Sequence, residues 1–567
     1  MGAMFRFVTE YPLRGNRLAV PRLACSRGLP LMGEEELLRH MRRLTPDEAA
    51  QARRHRYLPL PHAGLWRPCV ITDETSRLSA QARGCCPVAR ADARAFSRAM
   101  QRAWAERIAR RAETALAEEQ PAFSAHRRLS TGQRELLVMA VLVLMLLLAF
   151  TPWALVVTLS VVFSLFYLLQ AALHISAARV QPMLPRPRLL GDEELPVYTV
   201  LVPLFRETRI LPQLLRALAR LDYPPHKLDI KLLLEEEDSG TQEHLARLVL
   251  PDNVEVLTVP RGAPRTKPRA LNYGLAFARG DLITIYDAED VPHPGQLRLA
   301  ASMFAQLPEK VACLQAPLAW YNARAGFFTR MLAVEYAAHF HVILPWLQAL
   351  RLPLPLGGTS NHFRRRVLLK AGGWDPFNVT EDADLGLRLA RKGYRVGVLP
   401  LLGTLEEACE DYLCWRNQRA RWIKGWLQTF LVHQRTPVRM WREAGMGGYF
   451  VLYGLLGAGV FGALLHPLFV ALTLATLLSQ DFLADGPLRT WLLAQGLVVF
   501  AAGYAAAFFS AMQGLARTRQ KWLRPWLICL PVYWLLISLA AWLALWDFIR
   551  RPHHWRKTDH GFSLLLR

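Results

Sequence analysis

From Leu136 to Leu173 the chain is almost continuously apolar, broken only at Thr151-Pro152-Trp153. As one helix the run would reach roughly 57 Å at 1.5 Å per residue, against about 30 Å of bilayer hydrocarbon. Two membrane spans turning at Pro152 fit that length; a soluble core does not. Arg127, Arg128 and Arg134 precede the pair, and Arg179, Arg186 and Arg188 follow it. Cytosolic flanks are rich in Arg and Lys, so both ends are expected in the cytosol. A second apolar region begins at Gly448. Tyr449–Leu478 reads as one long or two short segments interrupted at His466-Pro467, Thr490–Met512 as a clear span and Pro525–Trp546 as another. The loop Arg517–Arg524 and the tail Arg550–Lys557 are both basic, and both call for the cytosolic side. One span between them cannot satisfy that: either the last segment is partly interfacial or the charge rule fails once.

The 567 residues are 52% hydrophobic yet 20% charged, the mixture of a membrane protein with a substantial aqueous part. The net charge of +23 suits anionic lipid headgroups and a phosphorylated substrate. With no zinc-finger spacing and no RNA-binding aromatic signature, nucleic acid is not expected as a partner. The eight cysteines form no CxxC pair and are expected as reduced cytosolic thiols. The first strongly apolar segment lies too deep for a cleavable signal peptide.

The expected organisation is a basic N-terminal domain at 1–134, a transmembrane hairpin at 135–174, an α/β domain at 195–435, a second transmembrane region at 448–547 and a cytosolic tail at 548–567. In the first, helical pattern covers Glu34–Arg43 and Ala91–Glu119, and Arg56–Leu60 and Arg67–Thr72 read as short strands, which makes a small α+β domain. The run Leu44–Leu60 resembles the amino-terminal domain of type II secretion ATPases. Phe327–Leu356 is apolar but interrupted by Arg330, Glu335, His339, His341 and Arg351, so it is expected at the membrane surface rather than across it.

Between Leu195 and Gly403, strand patterns at Val197–Pro203, Ile230–Leu234, Val254–Val259 and Leu282–Tyr286 alternate with helical ones. That order predicts an α/β fold with a mostly parallel sheet, whose ligands bind beyond the carboxyl ends of the strands. The first strand runs out through Pro203 to Glu207 and the second into Glu235-Glu236-Glu237-Asp238. The fourth ends in Tyr286-Asp287-Ala288-Glu289-Asp290, where three carboxylates repel unless a hard divalent cation joins them and bridges to phosphate. Lys267 and Arg269, leading to Asn272, offer charge to a diphosphate. Thr380-Glu381-Asp382 opens a predicted helix at Ala383–Lys392, a good place for a general base. Gln418-Arg419-Ala420-Arg421-Trp422 combines a phosphate-matching guanidinium with a ring for stacking on a sugar. Each feature alone also suits a solvated turn or an amphipathic helix; their order between two sets of spans does not.

That combination resembles the family 2 processive glycosyltransferases, the group of cellulose and hyaluronan synthases, over about Leu195–Thr429 and the flanking spans. The resemblance implies a GT-A-type cytosolic domain inserted between transmembrane helices of a multi-pass protein of the bacterial inner membrane. It implies a metal, Mg2+ or Mn2+, at Asp287, Glu289 and Asp290, with Glu289 in place of the family's second Asp. It assigns nucleotide-sugar binding to Pro203, Glu207, Glu236, Lys267, Asn272, Asp287 and Arg421, and catalysis to Thr380, Glu381 and above all Asp382. Acceptor contacts fall to Gly358, Thr359, Ser360, Asn361, Gln418 and Trp422. The tail Trp555-Arg556-Lys557-Thr558-Asp559-His560-Gly561 resembles a segment that covers the nucleotide, with Lys557 on the diphosphate. Expected partners are a UDP-sugar donor, a growing polysaccharide, membrane lipid and accessory export or outer-membrane proteins. The rival expectations are a non-processive transferase and an inactive membrane receptor.

Overall fold

The computed structural model describes residues 29–60, 67–181, 187–478, 487–557, 561 and 563. Contacts divide the chain into two compact units, Met1–Ala105 and Glu106–Arg567. The division falls inside the helix Ala93–Glu119, upstream of the boundary at 134 drawn from composition.

The first unit carries a three-stranded sheet in which β1 (Tyr57–Pro59) pairs antiparallel with β2 (Arg67–Ile71), and β2 pairs parallel with β3 (Cys85–Arg90). Helices Glu34–Met41, Pro46–His55 and Glu74–Gln81 belong to it. The second of these starts at a capping box, in which Thr45 and Glu48 each satisfy the other's backbone N–H.

In the second unit, α1 (Thr131–Phe150) and α2 (Pro152–Arg179) form the expected helix pair, broken at Thr151-Pro152. A seven-stranded sheet follows, built from β4 (Tyr198–Leu204), β5 (Leu228–Glu235), β6 (Val254–Val259), β7 (Leu282–Ile285), β9 (Val311–Gln315), β11 (Asn361–Arg364) and β12 (Arg395–Val398). Its order is β12-β9-β11-β7-β4-β5-β6. The half β7-β4-β5-β6 is parallel, as the sequence pattern predicts. The sheet as a whole is mixed, because β11 runs antiparallel between β7 and β9. Four residues carrying a histidine and an arginine gave no strand signal; burial on both sides by neighbouring strands makes β11. A small sheet of β8 (Val291–Pro292), β10 (Leu318–Trp320) and β13 (Thr404–Glu406) stands beside it.

Four helices shape the edge of the sheet. They are α3 (Lys267–Phe277), α4 (Phe327–Ala338), α5 (Glu381–Arg391) and α6 (Tyr412–His433). Asp411 caps α6 by accepting from the Cys414 N–H. Beside that cap Cys409 and Cys414 are disulfide-bonded, with Cα atoms 5.6 Å apart. The expectation of eight free thiols is corrected there: the turn into α6 brings the two Cα atoms into the range a disulfide needs.

The C-terminal helices are α7 (Ala458–Leu478), α8 (Pro487–Arg517) and α9 (Leu530–Arg550). The interruption expected at His466-Pro467 is not there, since α7 runs through Pro467. The irregularity lies earlier, in a wide turn at Leu452–Gly457. Among the described residues five helices are long and apolar enough to cross a membrane: Thr131–Phe150, Ala154–Arg179, Pro437–Ala475, Thr490–Arg517 and Lys521–Arg550. The last of these differs from the others in its ties. Near its start, Tyr533 bonds Glu335 of α4 and Trp415 of α6. At its end, Lys424 of α6 donates to the carbonyls of Arg551 and His554, and Arg128 donates to that of Ile549. α9 therefore begins and ends on the sheet-bearing side, packed along α6 through Ala541, Ala544 and Phe548 against Ala420, Ile423 and Leu427.

Candidate active site

The strands β4, β5 and β7 run parallel, so their carboxyl ends open on one edge of the sheet. A cavity of about 1040 Å³ begins there and continues between the apolar helices. Pro203 and Glu207 line it after β4, Glu235 and Glu237 after β5, and Asp287 and Glu289 after β7. Lys267, at the head of α3, reaches across: its Nζ lies 2.6 Å from Asp287 Oδ1 and donates to the Gly358 carbonyl at 2.7 Å. Burial works against that ammonium charge, but Asp287, Glu381 and Asp382 together hold Lys267 above the ordinary lysine range.

The acidic turn splits into two roles. Asp290 is wholly buried, and one of its carboxylate oxygens takes the Asp287 backbone N–H at 2.7 Å and bonds the Thr359 hydroxyl. Burial, with Asp287 and Glu289 alongside, pushes Asp290 well above the usual carboxylate range. Asp290 thus braces the turn from behind. Glu289 faces the cavity, and burial beside Asp287 raises it to about 8. The cost of crowding these carboxylates, with Glu406 also raised by burial and the same neighbours, is what a cation would relieve.

Among the described residues no three His, Cys, Asp or Glu side chains are gathered closely enough to enclose a metal ion. A divalent ion that keeps several waters and binds through one or two carboxylates plus phosphate needs no such cage. Asp287 and Glu289 supply that chemistry as hard oxygen donors on the cavity wall, and Asp290 does not face it. The residues present fit Mg2+ or Mn2+ on those terms.

Opposite the acidic turn, Thr380, Glu381 and Asp382 sit at the N-terminus of α5, where the helix dipole favours negative charge. Burial, then the Asp382 charge, pushes Glu381 up to about 7; burial raises Asp382 as well. Two turns of structure hold this corner. Asp384, kept below its ordinary range by Arg388 and His433 in spite of burial, accepts from both. Gln428 of α6 accepts the Val379 N–H at 3.0 Å, and Thr429 accepts from Asn378 at 2.9 Å. The α6 backbone comes so close that a Cβ on Gly425 would stand 2.1 Å from Thr380 Oγ1. Only glycine permits that approach.

α6 itself brings Gln418, Arg421 and Trp422 to the cavity wall. The tail returns over the same opening: Lys557 Nζ lies 3.1 Å from Glu207 Oε1, and the Trp555 ring lies 5.6 Å from the Arg421 guanidinium carbon. Gly561 and Ser563 donate their N–H groups to Glu407. Thr558, Asp559 and His560 of the tail motif lie outside the described residues.

The structure therefore brings Pro203, Glu207, Lys267, Asp287, Glu289, Gly358, Thr359, Thr380, Glu381, Asp382, Gln418, Arg421, Trp422 and Lys557 to one cavity. It places five others elsewhere. Glu236 is exposed and accepts the Arg261 N–H, while its neighbours Glu235 and Glu237 line the cavity, Glu237 at its exposed rim. Asn272 exchanges hydrogen bonds with the backbone of Trp374. Ser360 bonds Thr404, Asn361 donates to the Gly357 carbonyl, and Asp290 is the brace described above. Cavity residues that sequence reasoning missed include Glu335, Tyr336, Glu406 and Arg419. Glu406 ends β13, so the rule of looking past strand ends had a signal for it; the other three became visible only through tertiary contact.

Residues 196–425 match the family described as "Glycosyltransferase like family 2". The chain carries a family 2 glycosyltransferase domain. Its mixed sheet and strand-end site are those of a GT-A-like fold. Similar proteins include the probable glycosyltransferase YdaM of Bacillus subtilis, 28% identical over 41% of this chain and 56% of that protein. The beta-monoglucosyldiacylglycerol synthase of Trichormus variabilis is 29% identical over 43% of this chain and 53% of its own length. The UDP-forming cellulose synthase 1 catalytic subunit of Komagataeibacter xylinus is 29% identical over 54% of this chain and 40% of that one. The matched part is thus about half the length of these relatives. Among solved structures, the mannosyltransferase PcManGT of Pyrobaculum calidifontis, in complex with GDP-Man and Mn2+, aligns at TM-score 0.39 and 18% identity over 68% of this chain and 99% of that one.

Proposed function

We propose that this chain is an inverting membrane glycosyltransferase that takes a hexose from a nucleotide diphosphate-sugar, UDP-glucose or a related UDP-hexose, and extends a β-linked polysaccharide. The observation that carries the proposal is the single cavity running from the Lys267–Asp287 pair, past Asp382 and Trp422, to rings between the apolar helices such as Phe469, Tyr504 and Trp534. A product formed at its mouth has a path into the membrane region without leaving the protein.

In this reading Asp382 takes the proton from an acceptor hydroxyl as its oxygen attacks the anomeric carbon. The bond from that carbon to the diphosphate breaks on the opposite face. Lys267, Arg421 and Lys557 meet the charge that builds on the leaving diphosphate. Mg2+ or Mn2+ held by Asp287 and Glu289 would supply further charge neutralisation there. Trp422 offers a flat ring to the acceptor sugar.

Membrane placement draws support from α1, none of whose residues is buried against the rest of the protein; an apolar helix so bare needs lipid around it. Four crossings by α1, α2, α7 and α8, with α9 lying at the interface, keep the α/β domain and both basic segments on the cytosolic side of a bacterial inner membrane. Export proteins would meet the product beyond the membrane region.

The second reading, transfer of one sugar to a lipid, draws on the β-monoglucosyldiacylglycerol synthase relatives and on the apolar stretch of the cavity. Partition of labelled product between organic solvent and water separates the two. The test of the main reading is a screen of UDP-sugars with purified protein, followed by digestion with linkage-specific glycosidases. Turnover of one UDP-hexose into β-glycosidase-sensitive material is expected. Turnover of none of them, with the protein folded, would sink the reading.

A further inference from the structure

Arg419 stands inside the Gln-x-x-Arg-Trp segment yet has none of its assigned roles. Its side chain is 7% exposed and touches three elements. Nη2 is ion-paired with Glu335 of α4 and donates to the Tyr533 hydroxyl of α9 at 3.0 Å. The same hydroxyl donates to Glu335 Oε2 at 2.7 Å and accepts from Trp415 Nε1 at 3.1 Å. The guanidinium carbon also lies 4.8 Å from the centroid of the Trp422 ring. A cation at that distance over an indole face is attractive, the more so out of water.

Trp422 has a second neighbour from the same source. Tyr336, next to Glu335 on α4, stacks on it at 6.3 Å and 24°, and is packed on Trp320 at 4.3 Å. One turn of α4 thus supplies both the counter-ion of Arg419 and the ring that meets Trp422.

We infer that Glu335 is a positioning residue for the acceptor platform, acting through Arg419 to fix the orientation of the Trp422 ring. The inference rests on the reading that Trp422 meets the acceptor sugar. The physical reason is the cost of an unpaired buried charge. Without the Glu335 carboxylate the Arg419 guanidinium keeps only the Tyr533 hydroxyl and turns toward other acceptors in the cavity. Trp422 then loses the cation held 4.8 Å from its ring. Stacking on a sugar depends on the plane of the ring, so acceptor capture suffers while the donor pocket, built on the sheet edge, is untouched.

The test uses the full-length protein in lipid nanodiscs with radiolabelled UDP-glucose. Label transferred into glycoside is compared with label released as free glucose, the reaction in which water is the acceptor. For Glu335→Gln the ratio of transfer to hydrolysis is expected to fall about tenfold, the scale of a lost hydrogen bond to a charged group. The donor KM and thermal midpoint stay near wild type, and Glu335→Asp recovers part of the ratio. In protein labelled with 5-fluorotryptophan, the 19F line that disappears in Trp422→Phe should shift or broaden in Glu335→Gln. An unmoved Trp422 line, or transfer and hydrolysis falling by the same factor, overturns the inference. A wild type that neither transfers nor hydrolyses any UDP-sugar, while the 19F line still moves, condemns the acceptor role of Trp422 and leaves the Glu335–Arg419–Trp422 linkage standing.

Discussion

On the sheet side of the cavity the side chains are charged and come in close ion pairs, Lys267 with Asp287 and Lys557 with Glu207. On the helix side the wall is made of rings, with Trp422 beside Tyr336 and Arg419 and the passage continued by Tyr504 and Trp534, stacked at 4.7 Å and 20°. The sheet side draws mainly on the ends of neighbouring strands and the helix that follows β6, with Lys557 brought in by the tail. The helix side draws on α4, α6 and α9, which are separated by about a hundred residues of sequence. Charge that must be neutral in the resting protein and free to meet a diphosphate is suited by ion pairs that exchange partners. A passage for a sugar chain is suited by flat faces that bind weakly and repeatedly. In the proposed function the first half is a binding site and the second a track, and they should fail in different ways.

The largest expected difference concerns the ion. Excess EDTA should abolish transfer, and Mg2+ or Mn2+ should restore it, because Asp287 and Glu289 then face a diphosphate without a counter-charge. Full activity in EDTA would contradict the donor-side assignment. Next, Asp382→Asn should lower turnover by about 10²–10⁴-fold while UDP binding measured by calorimetry stays intact. A variant within threefold of wild type removes Asp382 as the base. Lys557→Ala should be smaller and confined to the sheet side: the donor KM rises by about tenfold, the scale of a charge-assisted hydrogen bond, with the size of the product unchanged. An equal change in product size would erase the distinction between the halves.

The smallest effect is on pH. Burial first, against the pull of Arg269, raises Glu235 from its ordinary 4.5 to about 7, as burial and Asp382 raise Glu381. A carboxyl whose folded pKa lies above the unfolded one holds more protons when folded across that window. Stability of the ligand-free protein therefore falls as pH rises from about 4.5 to about 7, and levels off above. Thermal melts at pH 5, 6, 7 and 8 should show this, and Glu235→Gln should flatten the slope. Activity should move the other way, rising through pH 7 as Glu381 loses its proton beside Asp382.

The sheet side was largely legible in the sequence. Strand patterns located Glu207, Asp287 and Glu289, because a buried parallel strand is a short apolar run and its end is where charge begins; Lys267 came from its own basic run before the fourth strand. The neighbour error at Glu236 has the same cause: pattern places a turn but not the direction of each side chain in it. Asn272, Ser360 and Asn361 were polar residues in the right segments, yet Asn272 and Asn361 bond the backbone and Ser360 bonds the buried Thr404 hydroxyl. On the helix side only Gln418, Arg421 and Trp422 were legible. Glu335 looked like an interruption in an apolar stretch, and its partners Arg419 and Tyr533 lie 84 and 198 residues away. α9 shows the same limit for the fold. It is as apolar as a span, and its ties to Glu335, Lys424 and Arg128 are made by residues far from it in sequence.

The central claim is that transfer and passage share one cavity, so that each product sugar moves on and the next is added. The size of the product tests it most directly. Protein in nanodiscs is given radiolabelled UDP-glucose, or whichever UDP-hexose it turns over, and the label is sized by gel filtration after protease treatment. A β-glycosidase-sensitive polymer of high mass, present even at early times and low conversion, is the predicted result. Label confined to a single sugar on an organic-soluble acceptor would contradict it.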